Sequence, residues 1–443
     1  MHGVLVLGAG LVARPLVRYL LDQPDIRVTV ASRTVGKAEQ MINGHSQGRA
    51  VAFDVAEMDG LGQLVAEHDL AVSLLPAMFH VEVAKACIAR SKHMVTTSYV
   101  SDAMKALDGS AREAGVIILN EIGVDPGIDH MSAMKIIHSV RGNGGEIMSF
   151  TSWCGGLPAP EDNDNPFGYK FSWSPRGVIV AGRSAARYLQ DGREVIIPGE
   201  DLFDHYWMVP VEGLGDFEGY PNRNSLPYIE TYQIPTTKGM FRGTLRNVGW
   251  CTTLKKLGEL GMFSTEERAG LEGLTYRELT AQLVGSTGAD IAVDLATFLG
   301  IEADSPVLAN LSWLGLLSDE PLPADQRTVL DVLVSRMLQK MAYQPGERDM
   351  LILQHEFLAE YPDRKERITS TLIDYGIPNG DTSMARTVGL PAAIGVKLIL
   401  EGGLDVLGVT TPVIPELYVP VLAELEDLDI RCVERTEVIP SGA

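Results

Sequence analysis

The opening of the chain constrains its fold most. Val4-Leu5-Val6-Leu7 is an apolar run of strand length that stops at Gly8, and a helical pattern follows from Leu11 through Leu16, Val17, Leu20 and Leu21. Between strand and helix stands Gly8-Ala9-Gly10-Leu11-Val12-Ala13. Gly8 permits the tight turn, Gly10 lets a pyrophosphate approach the backbone, and Ala13 is small enough for close helix-on-strand packing. The helix start adds free N–H groups and the positive end of a dipole. Strand, glycine turn and helix in this order specify a dinucleotide-binding unit.

Apolar runs of strand length recur at Arg27–Ala31, Ala50–Phe53, Leu70–Leu75, Met94–Thr97 and Val116–Leu119, with helical patterns such as Lys37–Ile42 and Val81–Ala89 between them. Such alternation implies an α/β fold with a parallel, doubly wound sheet and ligands at the strands' carboxyl ends. The second strand ends Ala31-Ser32-Arg33-Thr34, without the carboxylate that would hold the ribose 2′-hydroxyl of NAD. Ser32 and Arg33 suit a 2′-phosphate, so NADP(H) is the expected cofactor. Asp54, after the third run, either accepts from the adenine amino group or caps the segment that follows. The fourth run leads into Leu74-Leu75-Pro76 and on to His80, which reads as a helix-start residue, and Thr96-Thr97-Ser98-Tyr99 ends the fifth with a polar cluster. After the sixth comes Asn120–His130. Its Asp125-Pro126-Gly127 is a turn signal placed where a nicotinamide should lie, and Asp129 is expected to cap a helix beginning near His130.

From Ile147 the pattern changes. Phe150–Pro160 reads as a strand running into a loop, Lys170–Gly177 opens a helix, and strands are expected at Glu194–Ile197, Tyr228–Ile234, Met240–Arg246, Asp349–His355 and Arg367–Asp374. This is mixed-sheet α+β content. Thr252–Met341 is mostly helical, and the last helical runs, Leu390–Leu400 and one near Pro415–Leu425, belong to a tail expected to return to the cofactor domain. A chain of 443 residues divides into two or three domains. The net charge of −21 argues against nucleic acid or an anionic membrane as partner, and it gives weight to each Arg beside a binding motif. No run of 18 apolar residues and no signal peptide is visible. Cys87, Cys154, Cys251 and Cys432 stand far apart, which suggests a reducing, cytoplasmic setting and no metal site.

Longer motifs carry a resemblance. GAGLVARP at the start, VASRT at 30–34, SLLPAMFH at 73–80, TTSYVSDAM at 96–104 and NEIGVDPGIDH at 120–130 are joined by WCGGLPAPE at 153–161, NPFGYKFSWSPRGV at 165–178, YPNRNS at 220–225 and RGTLR at 242–246. Together they resemble the saccharopine reductases, the NADP-dependent, glutamate-forming saccharopine dehydrogenases; Trp153 is a departure where Tyr is frequent. The resemblance implies three parts: a split Rossmann domain (1–124 with 391–443), a mixed-sheet substrate and dimerisation domain (125–251 with 342–390) and a helical closing domain (252–341). It implies a homodimer, a place in lysine metabolism, and one reaction. 2-Aminoadipate 6-semialdehyde, glutamate and NADPH give saccharopine, NADP and water.

Carried over by position, the resemblance implies cofactor contacts at Gly10, Leu11, Val12, Ala13, Ser32, Arg33, Thr34, Asp54, Val55, Leu75 and Val124, beside the Gly8 turn. It implies substrate contacts at Ser98, Tyr99, Asp125, Trp173, Arg223 and the Thr244-Leu245-Arg246 segment. The residues themselves agree with that chemistry. Saccharopine bears three carboxylates, for which Arg223, Arg242 and Arg246 offer planar forks, although Arg242 and Arg246 read equally well as solvated charge on a strand face. Imine formation and reduction need a proton shuttle, and Asp125, Tyr99 and Cys154 are the ionisable candidates. A sister enzyme reducing another imine, such as a carboxylated polyamine precursor, and a non-catalytic NADPH sensor are the rival readings.

Overall fold

The structure, a computed structural model, describes residues 1–55, 60–286 and 290–440. The chain forms two compact units, Met1–Ile147 with Phe357–Ala443, and Met148–Glu356.

The first unit is built on β1 (His2–Leu7), β2 (Ile26–Ser32), β3 (Gly48–Ala52), β4 (Leu70–Ser73), β5 (His93–Thr96) and β6 (Ile117–Leu119). A strand from the tail, Gly408–Thr410, completes a seven-stranded sheet in the order tail–β6–β5–β4–β1–β2–β3. Every neighbouring pair is parallel. Val4, Leu5, Val6 and Leu7 are wholly buried, which is why these strands read as continuous apolar runs rather than alternating ones. The strand order reverses between β1 and β4, and α/β sheets bind ligands at the carboxyl ends beside that point.

Helices α1 (Ala13–Leu21), α2 (Val35–Ile42), α3 (Leu61–Ala66) and α4 (His80–Ile88) connect the strands. On α1, Ala13, Leu16, Val17, Leu20 and Leu21 are buried at helical spacing. A long helix from the tail, Ser383–Leu400, packs against α1 through Gly389, whose absent Cβ would lie 2.9 Å from the Val12 carbonyl oxygen. That helix is long and apolar enough to cross a membrane by length and composition, yet it is mostly buried inside this unit.

The second unit holds most of β7 (Glu146–Pro158), then β8 (Ala186–Gln190), β9 (Arg193–Ile197), β10 (Trp207–Val211), β11 (Gly215–Pro221), β12 (Gly239–Arg246) and the start of β13 (Asp349–Glu360). The order is β10–β11–β12–β7–β13, with β8 and β9 as a hairpin beside β12. β12 runs parallel to β7 and antiparallel to β11, so the sheet is mixed. Helices Trp250–Glu259, Tyr276–Val284, Ile291–Leu299, Pro306–Leu314 and Val329–Lys340 occupy the stretch expected to be helical. Capping boxes at Thr275 with Glu278 and at Thr328 with Asp331 start two of them. In the first unit β14 (Lys365–Tyr375) pairs antiparallel with β16 (Val433–Ile439), the tail strand Gly408–Thr410 being β15.

Two local expectations are corrected. Tyr228–Ile234 does not form a strand: Pro227 presets the first helical φ, and Pro227–Thr231 is a helix that buries Tyr228 and Tyr232 one turn apart. Asp129 is not an N-cap either. The helix starts at Ile128, and the Asp129 carboxylate folds back to accept from the N–H groups of Gly127 (2.5 Å) and His130 (2.8 Å). The expected cap at Asp54 concerns a segment that includes residues 56–59, which lie outside the described residues; α3 has Gly60 at its N-cap.

Candidate active site

At the carboxyl end of β1, Gly8 turns the chain at φ +108°, and a Cβ there would lie 2.9 Å from the Leu74 carbonyl oxygen, so the turn requires glycine. Gly10 is different: a Cβ would meet nothing within 4 Å. That open space is where a phosphate would approach Gly10, Leu11, Val12 and Ala13. No side chain caps α1 and no carboxylate lies in its first turn, so the helix end is free to receive an anion. A cavity of about 710 Å³ opens over Gly10 and Leu11, with Arg14, Arg18 and Lys37 in its wall. Arg14, which pairs with Asp381 at 3.3 Å, was not among the residues expected from sequence, although it directly follows the glycine motif.

Beyond β2, Ser32 accepts from the Thr34 N–H at 3.2 Å, and the exposed Arg33 and Thr34 precede α2, which also lacks a capping side chain or an acidic first turn. Asp54, Val55 and Leu75 are half-buried at the ends of β3 and β4, and Val124 is buried after β6. These residues fit a phosphorylated dinucleotide. Leu11 is 65% exposed, as a residue meant to be covered by a ligand would be.

The loops after β5 and β6 are tied together. Tyr99 Oη donates to Asp125 Oδ1 at 2.9 Å. The Glu121 N–H donates to the Ser98 carbonyl at 3.1 Å, and the Val100 N–H donates to Glu121 Oε1 at 2.8 Å. The other carboxylate oxygen, Oε2, bonds His130 Nε2 at 2.8 Å. Glu121 has φ +57°, an unfavourable backbone for a non-glycine residue, and this set of bonds holds it there. The Asp125-Pro126 bond is cis, and Gly127, at φ +149°, closes the turn where a Cβ would strike the Gly123 carbonyl. Sequence reading did not find Glu121 because its role depends on two separate partners, Val100 on the loop after β5 and His130 on the helix Ile128–Gly142.

In the second unit, strand register sets the site. Thr244 on β12 lies opposite Cys154 on β7 and Tyr220 on β11. Arg246, two residues on, shares that face and lies opposite Glu218. The Glu218 carboxylate does not pair with it. Its oxygens accept from the N–H groups of Gly249 (2.8 Å) and Cys251 (2.7 Å), satisfying the start of the helix Trp250–Glu259. Arg246 is 5% exposed and has no carboxylate partner among the described residues; one terminal nitrogen donates to the Leu245 carbonyl at 2.7 Å, and its Nε is unbonded. The guanidinium lies 4.9 Å from the Tyr169 ring centre and 5.4 Å from that of Trp250. Burial pushes the Tyr220 phenol up to about 12, so it stays a neutral hydroxyl beside this cation.

A buried guanidinium without an anion is costly, and a ligand carboxylate would satisfy it. Arg242, expected to be on the same strand face, is also buried, with its guanidinium 4.3 Å from the Tyr228 ring centre, so neither arginine is solvated charge. Arg223 sits in the turn after β11 at φ +54°, its carbonyl accepting from the Arg187 N–H at 2.8 Å. Trp173 lies in the loop before the helix Pro175–Ala181, and Leu245 is fully buried on the opposite face of β12. Asp125 and Tyr99 thus belong to the first unit, and Cys154 to the second.

Comparison with known proteins gives these halves a family. Residues 4–119 match the model of the saccharopine dehydrogenase NADP binding domain, and residues 123–430 that of the saccharopine dehydrogenase C-terminal domain. The chain is 42% identical to saccharopine dehydrogenase (NADP(+), L-glutamate-forming) of Pyricularia oryzae, over 98% of each chain. It is also 42% identical to the protein of that name from Schizosaccharomyces pombe, over 98% of this chain and 99% of the other. The structure superimposes on apo saccharopine dehydrogenase (L-Glu forming) from Saccharomyces cerevisiae with a TM-score of 0.90 at 38% identity, covering 99% of this chain and 100% of that one. With a phosphate-binding Rossmann sheet and a mixed-sheet unit both matched across nearly their whole length, this chain belongs to the saccharopine dehydrogenase family.

Proposed function

We propose that this chain is an NADPH-dependent reductase that joins L-2-aminoadipate 6-semialdehyde to L-glutamate and reduces the product to saccharopine, reversibly. The glutamate amine attacks the aldehyde carbon and water leaves, giving a C=N bond. That bond then takes a hydride at carbon and a proton at nitrogen, giving the secondary amine and NADP+. The bound dinucleotide supplies the hydride.

The observation that carries this reading is the Tyr99–Asp125 hydrogen bond at the carboxyl ends of β5 and β6, in the sheet that holds the phosphate-binding turn. Asp125 accepts or returns the proton of the reacting nitrogen, and Tyr99 fixes the orientation of its carboxylate. Ser98 binds a substrate oxygen. In the second unit Arg246 receives one substrate carboxylate, and Arg223 and Thr244 a second, with Trp173 as an apolar wall. Cys154, opposite Thr244, has a secondary role. Ser32, Arg33 and Thr34 take the 2′-phosphate, while Asp54, Val55, Leu75 and Val124 line the remainder of the dinucleotide.

The test is NADPH oxidation with the semialdehyde and a panel of amino acids, with products identified by mass. Glutamate-dependent oxidation yielding saccharopine supports the reading. Turnover with a different amine but not with glutamate replaces the substrate, and cofactor binding without turnover on any pair replaces the enzyme with a sensor. A homodimer and a cytoplasmic setting belong to the same proposal. The exposed Ile196, Trp207 and Met208 on β9 and β10 support the first, and four free cysteines support the second. A monomer by analytical ultracentrifugation would remove the dimer.

A further inference from the structure

His80 opens α4 and is 3% exposed, and both of its ring nitrogens are engaged. Nδ1 lies 2.8 Å from Ser73 Oγ at the end of β4, and Nε2 lies 2.8 Å from Ser98 Oγ beyond β5. A neutral imidazole offers one donor and one acceptor, and which nitrogen carries the proton follows from its partners. Ser73 is completely buried, and His80 Nδ1 is the acceptor its hydroxyl reaches among the described residues. A buried hydroxyl proton without an acceptor is costly. Ser73 therefore donates to Nδ1, the ring proton sits on Nε2, and Nε2–H donates to Ser98 Oγ. The Ser98 hydroxyl proton is then left for another acceptor.

The backbone around Ser98 is already held. Its carbonyl accepts from Glu121 N–H, Val100 N–H is bonded to the Glu121 carboxylate, and Tyr99 Oη is bonded to Asp125. The rotation of the Ser98 hydroxyl is the freedom that remains, and His80 sets it. Burial keeps the ring neutral by lowering its pKa from 6.5 to about 4, so one tautomer persists across the neutral range.

We infer that His80 is a positioning residue: as the Nε2–H tautomer, braced by Ser73, it makes Ser98 a hydrogen-bond donor to an acceptor oxygen of the ligand, a carboxylate or carbonyl oxygen. This rests on the reading above that Ser98 meets substrate.

Two amide substitutions separate this role from simple space-filling. Gln places a donor near the position of Nε2 and gives up Ser73, whereas Asn places its amide near Nδ1 and gives up Ser98. His80→Gln is expected to stay near wild type. His80→Asn is expected to raise the KM for saccharopine by about 10- to 150-fold, the loss of one hydrogen bond to a charged group, with kcat changing less and NADPH affinity intact. Ser98→Ala should match His80→Asn, and the double variant should be no worse than either single one. Independently of any substrate, nitrogen-15 NMR of histidine-labelled wild-type protein should place the ring proton on Nε2. A proton on Nδ1, equal losses in the Gln and Asn variants at unchanged thermal stability, or additive losses would each overturn the inference. If saccharopine is not a substrate at all, the functional reading fails while the NMR result still decides the tautomer.

Discussion

Asp125 owes its proposed role to a partner on the preceding strand-end loop. Tyr99 holds one of its oxygens, and the glycine-bounded turn fixes its backbone. Asp125→Asn keeps the shape and removes the base, so kcat should fall by about 10²- to 10⁴-fold and one limb of the pH–rate profile should flatten. Cys154→Ser should cost much less; unchanged rates and an unchanged profile in the Asp125 variant would reduce that carboxylate to a turn residue. Arg33 carries a different burden. It stands exposed between β2 and α2, so Arg33→Ala should weaken NADPH by about 10- to 150-fold while sparing NADH, as isothermal titration would read. His80 also bears on stability. Its ring titrates at about 4 when folded, against 6.5 for the ordinary imidazole, because burial disfavours the charged form. The unfolded chain therefore binds the proton first as pH falls. The stabilisation is fully present above pH 6.5 and is lost between 6.5 and 4, by up to roughly 3 kcal/mol. Urea unfolding across that window should show the loss, and His80→Gln should make it shallower.

Among the elements, α1 and the tail helix Ser383–Leu400 decide whether the phosphate turn keeps its shape. Their contact is closest at Gly389, where a Cβ would stand 2.9 Å from the Val12 carbonyl and 3.2 Å from the Leu16 nitrogen. Neither is a flexible atom. Gly389→Ala should therefore push α1 aside, destabilise by about 1–3 kcal/mol and weaken NADPH binding with it. Gly403→Ala is the control, since its Cβ would meet nothing nearer than the Leu398 carbonyl at 3.5 Å, and scanning calorimetry should leave it near wild type. Strands β1 to β6 of the first unit were legible because buried parallel strands read as apolar runs that end at polar or glycine turns, whereas the tail strands Gly408–Thr410 and Val433–Ile439 were not expected. The helix at Pro227–Thr231 was not, since Tyr228, Ile229, Thr231 and the following Tyr232 carry strand propensity and helix periodicity together. The proline at its first turn was the signal that decided it.

At the scale of the whole molecule, the charge of −21 and the isoelectric point near 4.8 make the protein self-repelling at neutral pH. Solubility should be lowest near pH 4.8 and recover on either side, as light scattering across a pH series would show. A minimum far from that value would mean that burial displaces many carboxylates. The same acidity makes each buried or motif-adjacent arginine informative. Arg246 is the clearest, because its cross-strand carboxylate, Glu218, is committed to the N–H groups of Gly249 and Cys251.

By itself the sequence determined what local physics can write into neighbouring residues. It specified the glycine turn after β1, the absence of a carboxylate after β2, the alternation that makes a parallel sheet, and motifs long enough to point to a family. These depend on spacing along the chain, so they survive without coordinates. Only the tertiary structure decided which distant side chains share hydrogen bonds. It showed that Glu121 ties the loop after β5 to His130 on the following helix, that His80 is a braced imidazole rather than a mere helix start, and that Arg246 is buried without a carboxylate partner among the described residues. Hydrogen bonds of these kinds act over about 3 Å and are indifferent to sequence separation, so the residues that make them leave no periodic trace in the chain.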